Sequence, residues 1–221
     1  MTRVVALANP QARSGKTSAA VGLASAFADL GLAVLVVDLD PQAALSRALG
    51  VDADAVEASL AEVLVDGRPI DTVMTDSDEG VDVVPAALEL SGIETQLMTR
   101  AGREQLLAAT LAPVAGDYEW VVIDCASSLG LLTTMALAMA DMLVIPERTP
   151  ATRAVGRLLD SADEIRRLVN PRLRAPLLLP IGGSMAGAAH GDDRVAVLRA
   201  VPAPPQDLLA YAALAHRLHE G

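Results

Sequence analysis

Ala8-Asn9-Pro10-Gln11-Ala12-Arg13-Ser14-Gly15-Lys16-Thr17-Ser18 is the stretch whose reading decides the fold. It follows an apolar run, Val4 to Ala8, that reads as a buried strand, and it opens an Ala-rich helical pattern from Thr17 to Leu30. Strand, tight loop ending Gly-Lys-Thr, then helix is the context that a phosphate-binding loop requires. Gly15 lets the backbone approach a phosphate, Lys16 places a point charge on it, and the Thr17 hydroxyl suits Mg²⁺. Backbone N–H groups at the helix start add the positive end of the helix dipole. The loop is irregular. The pattern G-x-x-x-x-G-K-[ST] wants glycine at position 10, where this chain has Pro10, a residue with no N–H to offer. A degenerate Gly-Lys-Thr also fits an ordinary strand-to-helix turn, so the rest of the chain has to decide.

Beyond the first helix, Leu32 to Val37 is a β-branched apolar run ending in Asp38-Leu39-Asp40-Pro41-Gln42. Such a continuous run fits a parallel sheet covered on both faces. Helical patterns follow over 43–49 and 54–65, and Val81 to Val84 reads as a strand stopped by Pro85. Residues 86–112 read as one or two helices. Tyr118 to Cys125 is a buried strand with Asp124 near its carboxyl end, 130–140 a small-sided helix, and Met142 to Ile145 a strand closed by Pro146. A helix over 151–169, strands at Leu177–Ile181 and Val195–Val201 separated by a Gly-rich loop, and a helix over 206–219 complete the chain. Strands alternating with helices predict an α/β fold: one domain spanning 1–221, a mostly parallel twisted sheet with helices on both faces. In such a sheet ligands sit at the carboxyl ends of the strands. Three ends carry polar chemistry here: the Gly-Lys-Thr loop, Asp38/Asp40, and Asp124. That convergence outlines a Mg-nucleotide site.

The bulk properties agree. Of 221 residues, 52% are apolar and 20% charged, a globular composition; with one Trp, one Phe and two Tyr, the core must be built from Ala, Val and Leu. A single Cys excludes a disulfide framework, and the absence of a leader or a long apolar run predicts a soluble cytoplasmic protein. Net charge is −11 but uneven: residues 1–150 hold 8 basic and 21 acidic side chains, whereas 151–221 hold 9 and 7. Ten acids between Asp52 and Asp82 read as a solvated surface. Lys16 is the only lysine.

Five stretches resemble the ParA/MinD group of deviant-Walker ATPases, and within it the ParA branch. They are the loop with its preceding Asn9, VLVVDLDPQ (34–42), YEWVVIDCASSLGLLTTMALAMADMLVIP (118–146), and the weaker SLAEVLVDG and VDVVPAALEL. The resemblance implies a switch that binds ATP or ADP with Mg²⁺ and forms an ATP-induced homodimer. It implies non-specific binding to nucleoid DNA in a bacterium, and slow hydrolysis stimulated by a ParB-like or adaptor protein. It places Gln11, Ala12, Arg13, Ser14, Gly15, Lys16, Thr17 and Ser18 around the phosphates, Thr17, Asp40 and Asp124 near Mg²⁺, and Lys16 and Asp40 in catalysis. Pro202 and Pro204, after the last strand, are candidates to lie against the adenine.

The departures from the family are concentrated in the loop. The signature lysine falls at Gln11, which donates a hydrogen bond but brings no charge. The paired glycines fall at Ala12 and Arg13; a position needing φ > 0 costs a non-glycine residue on the order of 1–2 kcal/mol. The second switch reads Cys125-Ala126-Ser127 where the family has Cys-Pro-Pro. Two explanations compete. Either an arginine (Arg13, Arg148 or Arg153) replaces the missing charge, or the chain binds nucleotide without hydrolysing it. Arg153, Arg157, Arg166, Arg167, Arg172 and Arg174 form a candidate DNA face, against the alternative of a solvated helix with local pairs such as Asp163/Arg167. The tail 206–221 has one Arg, two His and two acids, unsuited to anionic lipid, and no membrane partner is expected.

Overall fold

In the computed structural model, which describes residues 1–52, 58–148, 153–182, 194–198, 200–201 and 208–220, the chain alternates strands and helices as its periodicity predicts. The strands are β1 (Arg3–Leu7), β2 (Val34–Leu39), β3 (Thr75–Asp76), β4 (Asp82–Val84), β5 (Trp120–Cys125), β6 (Met142–Glu147), β7 (Leu177–Pro180) and β8 (Ala196–Val197). The helices are α1 (Lys16–Asp29), α2 (Ala44–Ala48), α3 (Leu60–Asp66), α4 (Leu90–Leu97), α5 (Leu106–Ala115), α6 (Leu131–Met139), α7 (Arg153–Leu168) and α8 (Leu208–Glu220). The sheet order is β3-β4-β2-β5-β1-β6-β7-β8, parallel throughout except for the β3–β4 pair.

Strand parity explains the two layers. Val4 and Ala6, Leu35 and Val37, Val121 and Ile123, and Leu143 and Ile145 belong to one apolar cluster, which α3 to α7 cover. Their neighbours Val5 and Leu7, Val34 and Val36, Trp120 and Val122, and Met142 and Val144 belong to a second, covered chiefly by α1 and α8. Alternation into two separate cores is what a sheet buried on both faces requires. Ala, Val and Leu dominate both cores, and Phe27, Trp120 and Tyr211 all fall in the α1/α8 layer, with Phe27 stacked on Trp120 at 4.2 Å. The α1/α8 contact is close: a Cβ on Gly22 would lie 2.7 Å from the Tyr211 ring.

Several expectations are corrected. Pro146 does not close β6, which runs on to Glu147. Its N and O point toward β1, whose pairing with β6 ends at Leu7↔Val144, so no ladder N–H is needed there. The last strand shrinks from seven residues to the exposed pair Ala196–Val197 plus an isolated bridge, Ile181↔Val201. The segment 86–112 resolves into α4 and α5. The short antiparallel β3 was not anticipated. In the expected 54–65 helix, residues 53–57 lie outside the described residues, and the observed α3 starts at Leu60 behind a Ser59/Glu62 capping box.

Candidate functional site

β1 lies between β5 and β6, so the loop leaving it opens where the strand order reverses, the place where open α/β sheets bind ligands. The backbone of the loop is unusual at two points. Gly15 has φ +99 and enters α1 with no side chain capping its N–H groups, and Arg13 has φ +59. Of the two non-glycine positions, therefore, only Arg13 sits in the left-handed region. Asn9, 1% exposed, braces the loop. Its Nδ2 donates to the Pro146 carbonyl at 2.8 Å, and its Oδ1 accepts the Gln11 N–H at 2.9 Å.

Lys16 is buried. Its Nζ donates to Ser127 Oγ at 2.7 Å and to the Asn9 carbonyl at 3.1 Å, with the Gln11 carbonyl at 3.5 Å. Burial lowers its pKa, while the nearby carboxylates of Asp124 and Asp40 oppose that shift. Ser127 thus joins the site from the end of β5. In the sequence Ser127 stands out only as a departure from Cys-Pro-Pro, and its place in the second switch is the signal that points to the site.

Asp38 and Asp124 are register partners and share the parity of Val36 and Val122, so both carboxylates point to the α1 side. They do different work. Asp38 is fully buried and accepts from Asp40 N (3.0 Å), Ser46 N (2.9 Å) and Ser46 Oγ (2.8 Å), tying the loop after β2 to α2. Burial pushes its pKa up against these hydrogen bonds. Asp124 Oδ2 accepts from Thr17 Oγ1 at 2.8 Å, and burial pushes its pKa up to about 8. Asp40 is half-buried and accepts from Gln42 N at 3.0 Å.

A cleft of about 480 Å³ collects Arg13, Ser14, Gly15, Lys16, Thr17, Ser18, Asp40, Ser127 and Arg148. Its size suits a small organic ligand. Gln11 and Ala12 lie on the loop beside it. Two buried polar atoms of this region, Ser14 Oγ and Asp124 Oδ1, have no hydrogen-bond partner among the described residues. Buried polar groups are normally satisfied. A hydroxyl, an amide-rich helix start and an unsatisfied carboxylate oxygen together are a donor set that fits a phosphate with Mg²⁺.

Other predicted residues are not brought to this cleft. Pro202 and Pro204 lie outside the described residues. Arg153 is on α7 and does not line the cleft. The arginines do not form one patch: Arg153, Arg157 and Arg167 share the exposed stripe of α7 with Asp160 and Glu164. Asp163 pairs with Arg166 at 2.6 Å, not with Arg167, and its other oxygen takes Arg194 at 3.0 Å. Arg174 follows α7 and lies beside Arg217 of α8 around a small cavity also lined by Met142 and Leu218, while Arg172 is exposed in the same connection. Cys125 is buried in β5, its thiol pKa pushed up by burial, as a core residue would be. Among the described residues, no cluster of metal-ligating side chains of the His/Cys/Asp/Glu type occurs and no helix is long and apolar enough to cross a membrane.

Residues 2–175 match a family model described as an AAA domain. A chromosome partitioning protein ParA from Myxococcus xanthus is 34% identical over 192 residues, which cover 85% of this chain and 68% of that protein. The chain belongs to the ParA-type P-loop ATPases. An uncharacterized protein of Mycobacterium tuberculosis is 41% identical over 175 residues, 77% of this chain but 55% of its relative, so the match spans only about half of the longer protein. A solved structure of cobyrinic acid a,c-diamide synthase from Mycobacterium smegmatis, with bound ADP and magnesium, superposes with a TM-score of 0.91 at 33% identity, covering 99% of this chain and 94% of that one.

Proposed function

We propose that this ParA-type chain is an ATP-dependent dimerising switch ATPase that positions a cargo (a plasmid, a chromosome or a protein assembly) on nucleoid DNA in the bacterial cytoplasm. The observation that carries the reading is the convergence of Lys16, Thr17 and Asp124 around buried polar atoms that no other described residue satisfies. Lys16 and the free N–H groups opening α1 hold the phosphate chain of ATP or ADP, with Ser14, Gly15 and Ser18 along the same wall. Thr17 and Asp124, with Asp40 across the cleft, hold Mg²⁺, which when bound neutralises charge developing on the phosphoryl oxygens. Asp40 orients the attacking water, and Asp38 fixes the Asp40 backbone through its hydrogen bond. Arg13 is a candidate to add charge at the phosphates. Arg153, Arg157 and Arg167 give a modest DNA contact, interrupted by Asp160 and Glu164. A ParB-like or adaptor protein stimulates turnover.

A second reading is a nucleotide-gated scaffold that binds ATP without hydrolysing it. It is favoured by Gln11, an uncharged residue whose backbone N–H is already engaged by Asn9. ATP turnover by the purified chain, with and without DNA and its partner, separates the two when measured beside Lys16→Ala. Turnover above that control supports the switch ATPase. Turnover equal to the control in every condition, with ATP still bound, supports the scaffold.

A further inference from the structure

The cleft holds a cation that neither the helix start nor the loop supplies. Arg148 follows β6 directly, on the wall opposite Asp40's loop, and lines the same cleft as Lys16, Thr17 and Ser127. Its root is fixed by the sheet: Glu147 pairs with Pro180 in register, and the Ile181 N–H donates to the Glu147 carbonyl at 2.8 Å. Its side chain reaches the phosphate loop. A Cβ on Gly15 would lie 3.5 Å from Arg148 Nε and 3.1 Å from Ile181 Cγ1, so Arg148 and Ile181 close over the one loop residue that has no side chain. Arg148 is exposed, and among the described residues no carboxylate forms an ion pair with it. On the far side its charge is felt at the buried Tyr211 hydroxyl, where it opposes the upward shift that burial causes.

Arg13 lines the same cleft and likewise has no ion pair among the described residues, but its root is not held by the sheet. It stands on the exposed tip of the loop in a left-handed conformation, and no described residue anchors its side chain. Arg153 is absent from the cleft lining altogether. Of the three arginines considered as replacements for the cation missing at Gln11, only Arg148 combines a root fixed by the sheet, a path to the loop and a charge that no described carboxylate pairs.

We propose that Arg148 is a phosphate-binding residue of the nucleotide site, supplying from within the same chain a second cation for the β- and γ-phosphates beside Lys16. This deepens the nucleotide reading above and rests on it. A planar guanidinium reaching over the loop makes charge-assisted, bidentate contact with phosphate oxygens in a way that an amide at position 11 does not. Because the cation is intrachain, the monomer carries it, and triphosphate recognition does not wait for a partner subunit.

The test measures equilibrium binding of fluorescent ATP, ADP and AMP with Mg²⁺ to the full chain at a concentration that keeps it monomeric. It compares wild type, Arg148→Ala, Arg148→Lys, Lys16→Ala, and Arg68→Ala, an exposed α3-flanking arginine that controls for net charge. Arg148→Ala is expected to weaken ATP by about tenfold to a hundredfold, the loss of one or two charge-assisted hydrogen bonds, with AMP changed less than about twofold. Arg148→Lys recovers part of the loss, and Arg68→Ala leaves all three affinities within about twofold. Arg148→Ala binding ATP within about twofold of wild type, while Lys16→Ala loses it, overturns this inference and leaves the nucleotide reading standing. Wild type and Lys16→Ala binding ATP equally overturns both.

Discussion

Asn9 should decide whether the loop keeps its shape. Replacing it by alanine removes the Nδ2 hydrogen bond to Pro146 O (2.8 Å) and the acceptor for Gln11 N–H (2.9 Å) at a site 1% exposed. Each group left without a partner costs about 1–3 kcal/mol. The Gln11 end is only partly buried, so water recovers some of that loss, and the expected net destabilisation is about 2–4 kcal/mol. Asn9→Asp separates the two bonds. One carboxylate oxygen still accepts from Gln11, while the other stands as an acceptor against the Pro146 carbonyl. Burial and that repulsion raise the carboxyl pKa in the native state above its unfolded value. The native state therefore binds the proton more tightly, so Asn9→Asp gains stability relative to wild type as pH falls through the native pKa and loses it as pH rises. Urea unfolding at pH 5.5 and 8 reads this directly, and fluorescent ATP binding reports the loop. Asn9→Ala within about 0.5 kcal/mol of wild type, or an Asn9→Asp offset that does not move with pH, would refute the bracing argument.

The remaining expectations concern the carboxylate, the helix packing and the DNA face. Asp124, raised to about 8 from 3.8, lowers native stability as pH climbs from about 4 to 8. Asp124→Asn should remove most of that fall, on the order of 5 kcal/mol for that rise in pKa, and stability-versus-pH curves that stay parallel would contradict it. Gly22→Ala gains about 1 kcal/mol in helix propensity but drives a methyl into the Tyr211 ring, so thermal unfolding should show a net loss of about 1–3 kcal/mol, recovered in Gly22→Ala/Tyr211→Leu. A more stable Gly22→Ala would mean that α8 does not pack on α1 as described. If Arg153, Arg157 and Arg167 each neutralise one phosphate, log affinity for DNA falls against log salt with a slope of about −3 per chain, and Arg167→Ala reduces it by about 1. An unchanged slope removes α7 from the DNA contact.

The central strands were legible because their signal is local. Val34–Val37, Trp120–Ile123 and Met142–Ile145 are unbroken apolar runs, and a sheet covered on both faces leaves no alternation to confuse with a helix. Pro146 misled because its meaning depends on a neighbour: a proline stops a strand only where a partner needs its N–H, and β1 has already ended there. The two-residue β3 has too few residues to carry any pattern. In the site, Lys16, Thr17 and Asp124 follow from motif and strand end, but the Lys16–Ser127 bond joins residues 111 apart, and no spacing rule reaches that far. Asp38 read as a neighbour of Asp40 with chemistry of its own; its partners Ser46 and Asp40 N make it a brace. Asp163 takes Arg166 on one oxygen, instead of the helical i,i+4 partner, and Arg194 from a distant connection on the other, a pairing that helical spacing does not reveal.

The irregular loop divides into two halves with different obligations. In residues 9–11 the polar groups turn inward: Asn9 holds Pro146 and Gln11, and the Asn9 and Gln11 carbonyls face Lys16. Pro10, having no N–H, costs nothing in a half that offers none to a ligand. Arg13 at φ +59 carries strain on the order of 1 kcal/mol, which the two Asn9 hydrogen bonds, one buried and one partly buried, are sufficient to hold. In residues 14–18 the obligations run outward. Gly15 has no side chain, α1 has no capping side chain over its first N–H groups, and Ser14 Oγ is buried without a partner among the described residues. The departures at Pro10 and Gln11 therefore fall where the loop binds itself, Ala12 and Arg13 stand exposed, and the Gly15-Lys16-Thr17 half is left intact for phosphate. A charge lost from the self-bound half is most simply restored from outside the loop, and the end of β6, which Asn9 already ties to the loop at Pro146, is the nearest fixed element to do so.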